Sequence, residues 1–324
     1  MNIFKNKIVT VTGAGGSIGS AICKKLLLLG VHRLKCLDIS EYSLYNLSQS
    51  LKSEKARYLI GDVRDKDRLD RAVSSSHIII HAAALKHVSF CEFNPDEAFK
   101  TNVIGTQNLI DICRKTDTEH CVLISTDKAV NPTSVMGTTK LLAEKIFINA
   151  PENNLLNSTK FTVVRFGNVF GSAGSVVETF FKKISNNEKL SLTDENISRY
   201  FISMNEASNL VLDCLNHTKG ESLTPVFILK MKKAKIKRIA ERMSYILGKN
   251  QNHDFEITGL SRGEKFDEKL YTDFERKFIQ TTEKYIIINK NIQNYQIEEK
   301  DFFMSDGEID FLIKEWLESK KAYC

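Results

Sequence analysis

The chain has 324 residues, 42% hydrophobic, 27% charged and 9% aromatic, with 16 Gly and 4 Pro; it is too apolar for intrinsic disorder and too poor in Gly and Pro for a fibre. At about 150 residues per domain, this length gives one large or two unequal domains with a sizeable core and excludes a peptide-sized scaffold. The net charge of +6 comes from positives spread along the chain rather than gathered in a nucleic-acid-binding tail, and the dense basic run Lys230–Arg238 reads as a solvated lead-in to a helix.

No apolar run approaches the roughly 20 residues that span a bilayer. Met1–Lys7 has no signal-peptide core, so the reading is a cytoplasmic protein without membrane insertion. Seven cysteines (Cys23, Cys36, Cys91, Cys113, Cys121, Cys214 and Cys324) include no C-x-x-C pair and have no histidine at metal-ligand spacing. Most lie in apolar periodic segments, which reads as reduced, buried thiols with no disulfide and no structural zinc.

From Lys7 to Phe166 short β-branched runs alternate with longer helix-patterned stretches, the pattern of a parallel sheet covered by helices on both faces. Strands are predicted at Ile8–Thr12, Leu34–Asp38, Arg57–Ile60, Ile78–Ala82, Cys121–Ser125 and Phe161–Arg165, giving a doubly wound α/β (Rossmann) fold. The first helix runs from Ser17 and is closed by Gly30. Another, Asn94–Lys115, opens with Asn-Pro, Asp96 and Glu97, acids suited to the positive end of a helix dipole. After Gly171 the rhythm breaks into polar, irregular stretches. A dinucleotide-binding domain over 1–170 is therefore followed by a smaller, mainly substrate-binding region over 171–324, of which the segment 225–247, with a strand at Pro225–Leu229 and a helix at Ile236–Leu247, is expected to return to the main sheet. There is no internal repeat.

The strongest local motif is T-G-A-G-G-S-I-G at Thr12–Gly19, directly after a strand and opening a helix. Gly13, Gly16 and Gly19 allow a tight turn, close approach of backbone to a pyrophosphate and close helix–strand packing, while Ser17 and Ile18 start the helix whose N-terminus faces the phosphates. Asp38 ends the second strand about 20 residues later, where its carboxylate can accept from ribose hydroxyls and would repel a 2′-phosphate, which favours NAD over NADP. Asp62 and Val63 follow the third strand and Ala82, Ala83 and Ala84 the fourth. At strand ends facing the ligand crevice, Asp62 can meet the adenine amino group and the alanines let backbone approach the cofactor.

These runs, with N-P-D-E-A-F-K-T-N-V-I-G-T, S-T-D-K-A-V-N-P-T-S-V-M-G-T-T-K, R-F-G-N-V-F-G-S-A-G-S-V, S-R-Y-F-I-S and G-L-S-R-G-E-K-F-D-E-K-L, resemble the extended short-chain dehydrogenase/reductases. They most resemble the nucleotide-diphospho-N-acetylglucosamine 4,6-dehydratases of bacterial capsule, glycan and nonulosonic-acid pathways, over about residues 5 to 270. General short-chain dehydrogenases carry Tyr-x-x-x-Lys here, the Lys holding the nicotinamide ribose and lowering the Tyr pKa. This chain keeps Lys140 but has Met136 in the Tyr position. Methionine cannot exchange a proton, which argues against a Tyr-dependent reductase or epimerase.

The resemblance implies a lyase that takes a hydride from carbon 4 onto NAD⁺, removes the carbon 5 proton, expels the carbon 6 hydroxyl as water and returns the hydride to carbon 6. It implies Asp127 as the acid on the leaving hydroxyl and Lys128 as the base at carbon 5, a role that needs a neutral amine; desolvation and Lys140 would favour that state and Asp127 would oppose it. Thr126, Asp127 and water stand open as acceptors of the carbon 4 hydroxyl proton. The family pattern further implies Lys86 and His87 near the sugar, Asn168 at the diphosphate, Arg199 and Arg262 at phosphate or nucleoside, Glu264 at a ribose, and Met136 packed against cofactor or substrate. Two departures are Glu178, where a proline is usual, and Ser261-Arg262-Gly263-Glu264-Lys265 in place of Arg-Pro-Gly-Glu-Lys.

The implied substrate is UDP- or GDP-N-acetylglucosamine, and the 4-keto-6-deoxy product would feed an aminotransferase. Also implied are a homodimer through Asn94–Lys115 and Ser134–Ile148, retention at carbon 5, and a free-standing soluble enzyme, since chains of the Met type are often fused to membrane segments and this one begins at the first strand. The rival readings are a sugar-nucleotide 4-epimerase and a non-catalytic dinucleotide-sensing regulator.

Overall fold

The computed structural model describes residues 2–151, 159–217, 224–249, 255–289 and 302–321. Six parallel strands, β1 (Ile8–Thr12), β2 (Arg33–Asp38), β3 (Ala56–Ile60), β4 (Ile78–His81), β5 (His120–Thr126) and β6 (Lys160–Phe166), lie in the order β3-β2-β1-β4-β5-β6. Each is within one residue of its predicted limits. The runs are almost unbroken in apolar character because both faces are covered: Ile78, Ile79, Ile80, Cys121, Val122 and Leu123 are all 1% exposed or less. The strand order reverses between β1 and β4, and a ligand crevice opens beyond the C-terminal ends of strands at such a point.

The connecting helices are α1 (Ser17–Leu28), α2 (Glu41–Leu51), α3 (Lys66–Val73), α4 (Val88–Phe93), α5 (Pro95–Phe99), α6 (Gly105–Cys113) and α7 (Val135–Ile148). Ser40, Asp65 and Ser134 accept first-turn amide protons at the starts of α2, α3 and α7. The predicted helix Asn94–Lys115 is not one α-helix. A π-helical stretch, Lys100–Ile104, joins α5 to α6. Within it Asn102 is buried and brackets Leu85, accepting from its N–H (2.9 Å) and donating to its carbonyl (3.1 Å), which steadies the backbone just beyond β4.

After β6 come β7 (Asn168–Val169), α8 (Val176–Ser185), β8 (Ser191–Leu192), β9 (Ser198–Ile202), α9 (Met204–His217), β10 (Val226–Leu229), β11 (Lys232–Lys235), α10 (Ile236–Ile246), β12 (Glu256–Ile257), β13 (Ile279–Thr281), β14 (Tyr285–Ile288) and α11 (Asp306–Lys321). The chain re-enters the main sheet twice. β10 pairs parallel with β6, and β14 and β13 add antiparallel strands beyond it, making nine strands among the described residues. Helix α9 packs on α1 and sends Ala207, Leu210, Val211 and Cys214 into the main core.

Of the segment 225–247, only Val226–Leu229 join this sheet. β11 pairs with β9 instead, and α10 packs with α8 and α11 in a second core that includes Phe180, Ile184, Ile239, Met243, Ile313 and Trp316. The basic run leads into α10 with its other charges exposed or half-buried, but one of them is not solvated. Its middle is β11, and Lys233 is buried there, its Nζ 2.8 Å from Asp267 Oδ1 and 4.8 Å from the Tyr200 ring centroid.

A buried ion cluster ties the late segment to the Rossmann core. Arg165 on β6 donates to Glu144 of α7 (Nη2–Oε2 2.7 Å), to Glu275 (Nη2–Oε1 3.0 Å) and to the Leu270 carbonyl (2.9 Å). The six described cysteines are buried free thiols; Cys324 lies outside the described residues. Among the described residues no helix is long and apolar enough to cross a membrane.

Candidate active site

A cleft of about 730 Å³ opens over the C-terminal ends of β1, β4, β5 and β6 and runs to β8, β9 and the start of α10. Its dinucleotide half is built by the glycine turn. Gly13 has φ +65°, and a Cβ there would come within 2.6 Å of Ala83 N; a Cβ on Gly19 would lie 2.1 Å from the Gly13 carbonyl oxygen. Larger residues would fill the cradle or push α1 off β1.

Gly13, Gly16, Ser17, Ile18, Gly19, Asp38, Asp62, Val63, Ala82, Ala83 and Ala84 all line the cleft. Asp38 is fixed by the N–H groups of Gly15 and Ser40, each at 2.9 Å. Asp62 accepts from Arg64 N (2.9 Å) and Nε (2.7 Å). Burial alone would raise the Asp62 carboxyl, but the hydrogen bonds and charge of Arg64 hold it below the usual carboxylate range. Arg64, which also pairs with Glu97 and lines the cleft, was not singled out in the sequence, although it directly follows Asp62-Val63.

At the end of β5 the chain enters a single 3₁₀ turn, Asp127–Ala129, capped by Thr126. The turn directs Thr126 and Lys128 to the cleft and Asp127 inward. Asp127 is 0% exposed; its Oδ1 accepts from Thr126 Oγ1 (2.9 Å) and Lys128 Nζ (3.1 Å), and its Oδ2 has no hydrogen-bond partner among the described residues. Lys128 Nζ also lies 3.0 Å from Asn168 Oδ1 and 3.6 Å from Glu268 Oε1.

Of the opposing influences expected at Lys128, the carboxylates prevail. Burial would lower its pKa, but the carboxylates of Asp127 and Glu268 and the Asp127 hydrogen bond outweigh burial and the nearby Arg199 and raise it above an ordinary lysine. The displaced lysine is Lys140: burial, only partly opposed by Glu144, brings it down to about 8, with Nζ donating to the Ile124 carbonyl at 2.7 Å. One turn earlier, Met136 is buried against Cys91 and Ala98 and lines the cleft.

Lys86, His87, Asn168, Arg199 and Glu264 line the cleft as well. Lys86 Nζ donates to the Ala173 carbonyl (2.7 Å), and Gly174 turns against the His87 ring. Arg199 is buried and already committed: it donates to the carbonyls of Ser198 (2.8 Å), Phe266 (3.1 Å) and Lys265 (2.6 Å) and to Glu264 Oε1 (3.2 Å). Its donors hold the 264–266 loop over the cleft. Arg262 does not line the cleft. Its side chain is 83% exposed beside Glu92, because Gly263 (φ +77°) turns the loop so that Glu264 enters the cleft and Arg262 leaves it.

A doubly wound sheet, a glycine turn at its switch point and a Lys140-bearing helix beside the end of β5 define an extended short-chain dehydrogenase/reductase. The sequence profile described as "Polysaccharide biosynthesis protein" matches residues 9–290. The chain belongs to that family, the branch that includes sugar-nucleotide 4,6-dehydratases. The protein named "Uncharacterized membrane protein MJ1061" of Methanocaldococcus jannaschii is 41% identical over 97% of both chains. The "UDP-N-acetylglucosamine 4,6-dehydratase (inverting)" of Campylobacter jejuni is 36% identical over 93% of this chain and 87% of its own. Among solved structures, Pen from Bacillus thuringiensis superposes with a TM-score of 0.90 at 34% identity, covering 96% of this chain and 98% of that one.

Proposed function

We propose that the protein is an NAD-dependent 4,6-dehydratase acting in the cytosol on UDP- or GDP-N-acetylglucosamine, and that its 4-keto-6-deoxy product enters glycan or nonulosonic-acid biosynthesis. The observation that carries this reading is Lys128, held at the cleft between Asp127, Asn168 and Glu268, with non-ionisable Met136 where a reductase or epimerase needs tyrosine. The dehydratase names of relatives support it.

The glycine cradle fits a dinucleotide: its close approaches leave room for backbone alone, and Asp38 offers a fixed carboxylate for a ribose. When bound, NAD supplies hydride acceptance at carbon 4 and hydride return at carbon 6. The remaining chemistry belongs to side chains. Thr126 Oγ1, whose own proton points to Asp127, takes the carbon 4 hydroxyl proton and passes its own to Asp127; that proton later leaves through Thr126 with the carbon 6 hydroxyl as water. Lys128, as amine, takes the carbon 5 proton and returns it to the same face, which gives retention. Lys86, His87, Asn168 and Glu264 hold the substrate, and Lys140 holds the nicotinamide ribose.

The homodimer is part of the proposal. Phe93, Phe99, Ile104 and Leu142 are 82%, 44%, 36% and 42% exposed on the α4–α7 side, apolar area suited to a second copy. Light scattering on the eluting protein tests it.

Incubation of the purified protein with UDP- and GDP-N-acetylglucosamine separately, followed by mass spectrometry, tests the activity. Loss of one water from one of them without added cofactor is the expected result. No loss from either with NAD supplied would turn the assignment towards an epimerase or a sensor.

A further inference from the structure

Glu268 lies behind the cleft, 3% exposed, and no feature of the sequence singled it out. Its Oε1 is 3.6 Å from Lys128 Nζ and 4.0 Å from Arg199 Nε. Its Oε2 has Lys265 Nζ at 3.5 Å and no hydrogen-bond partner among the described residues. The loop that carries it is firmly tied. Lys265 Nζ donates to the Val130 carbonyl, Thr133 Oγ1 donates to the Gly263 carbonyl (3.1 Å), and Arg199 holds the carbonyls of Lys265 and Phe266. A buried carboxylate thus lies in ion-pair range of Lys128, just beyond hydrogen-bond distance, with one oxygen unsatisfied, an arrangement that is costly for stability alone.

The dehydratase reading, on which this inference rests, needs Lys128 to meet carbon 5 as an amine, whereas the two flanking carboxylates hold it as an ammonium. Asp127, whose Oδ2 is also without a hydrogen-bond partner among the described residues, takes only one proton, and in the proposed reaction that is the one from Thr126. We propose that Glu268 is a positioning residue for the reaction: when substrate fills the cleft it takes a proton from Lys128, turning the ion pair into a neutral amine–acid pair.

In this step a Lys128 Nζ–H bond breaks, the nitrogen keeps its electron pair, and a Glu268 Oε1–H bond forms. The amine then takes the carbon 5 proton as the C–H bond breaks, leaving that electron pair on the sugar, and later returns the proton to carbon 5. On product release the Glu268 proton goes back to Lys128, and no outside acid or base is consumed. Excluding water removes the solvation of both charges, which favours the neutral pair. The surroundings agree. Burial holds the Glu268 carboxyl above the usual range; Asp127 adds to this, while Lys128, Lys265 and Arg199 oppose it.

The test is Glu268→Gln in the full chain, which keeps the volume and removes the proton acceptor. Two quantities are read: kcat and KM for water loss between pH 6 and 9, and the Lys128 pKa by NMR of lysine labelled at Cε, in protein without substrate. The expected result is a lower Lys128 pKa, a KM within about threefold of wild type, and a kcat reduced roughly 10²-fold across the range, the scale of a lost acid–base group. An unchanged or increased kcat, with the pH profile moved to lower pH, would overturn the proposal and reduce Glu268 to a charge that holds Lys128 protonated. If the Gln variant does not fold, Glu268→Asp decides: an intermediate kcat with wild-type KM supports the proposal, and a wild-type kcat at every pH overturns it. Absence of water loss in the wild type itself would be a failure of the dehydratase reading, seen before any variant is made.

Discussion

Trp316, the single tryptophan of the chain, donates its indole N–H to the Gly171 carbonyl at 3.1 Å, and its ring occupies the space beside that glycine so fully that a Cβ would lie 2.0 Å from Trp316 Cδ1. Gly171 opens the turn that reaches across the cleft. There Ala173 N–H donates to Ser17 Oγ (3.0 Å) at the start of α1, and the Ala173 carbonyl accepts from Lys86 Nζ (2.7 Å). The C-terminal helix α11 thus buttresses a strap that touches both the dinucleotide and the sugar side of the site.

Gly171 has φ +67°, so Gly171→Ala combines a left-handed backbone with a collision against an indole ring. The expected cost is about 1–3 kcal/mol from the backbone alone. Urea unfolding followed by tryptophan emission and by circular dichroism checks it. Emission should move to longer wavelength before the global transition, because α11 is displaced first. Trp316→Phe, followed by circular dichroism alone because it removes the single tryptophan, loses both the hydrogen bond and the five-membered ring packed on Gly171, and should cost more than the about 0.5–1.5 kcal/mol of the hydrogen bond.

Asp38→Asn removes the repulsion that a 2′-phosphate would meet, but its one amide oxygen can accept from only one of the Gly15 and Ser40 N–H groups, which bond to different oxygens of the aspartate. NAD affinity should fall roughly tenfold, because charged hydrogen bonds are worth about 1.5–3 kcal/mol against 0.5–1.5 for neutral ones, and NADP affinity should rise. Calorimetric titration of cofactor-stripped protein measures both; an unchanged NAD to NADP ratio would remove Asp38 from the discrimination.

The parts of the molecule legible in the sequence are those with one physical cause written locally. Strands β1 to β6 are short apolar runs because each is covered on both faces, and the glycine turn is explicit because no other residue fits at Gly13 or Gly19. What was hidden depends on distant partners. Lys233 reads as a solvated charge until Asp267 and Tyr200 arrive from other segments; Arg262 looks like an anion ligand until Gly263 turns it outward. Glu268 is one more acid in a charged loop until the fold sets it against Lys128, 140 residues earlier. The inward turn of Asp127 is equally invisible, since a dipeptide does not reveal which side chain a 3₁₀ turn will enclose.

The Arg165 cluster carries one cation and two carboxylates, which orders the effects of its variants. Arg165→Met leaves Glu144 and Glu275 buried without their cation and should cost about 3–5 kcal/mol at pH 7. Glu144→Gln leaves a balanced Arg165–Glu275 pair and should cost less. In the Met variant Glu275 loses the cation that offsets its burial, so its carboxyl rises, the folded state binds a proton more readily and the deficit relative to wild type should shrink on moving from pH 7 to pH 5. Chemical denaturation at the two pH values distinguishes this from a packing defect, whose cost would not change with pH.

Lys140 sets stability against function on one residue. Its folded pKa, about 8, lies below the ordinary 10.5 because burial penalises the ammonium. Between those values the unfolded chain binds a proton that the folded chain does not, so this lysine makes stability rise with pH from about 8 to 10.5, and below about 8 the full penalty of a buried charge is present. Lys140→Met fills the same buried space without that penalty. At pH 7 the variant should be at least as stable as wild type despite losing the bond to the Ile124 carbonyl, and its advantage should fade as pH rises through the same window. Its water-loss activity should nevertheless fall by about 10²-fold or more, the scale of a lost acid–base or ribose-holding group. Melting temperatures from pH 6 to 10.5, measured beside turnover, check both halves. A variant that is less stable at pH 7 would mean that the Ile124 bond outweighs the buried charge.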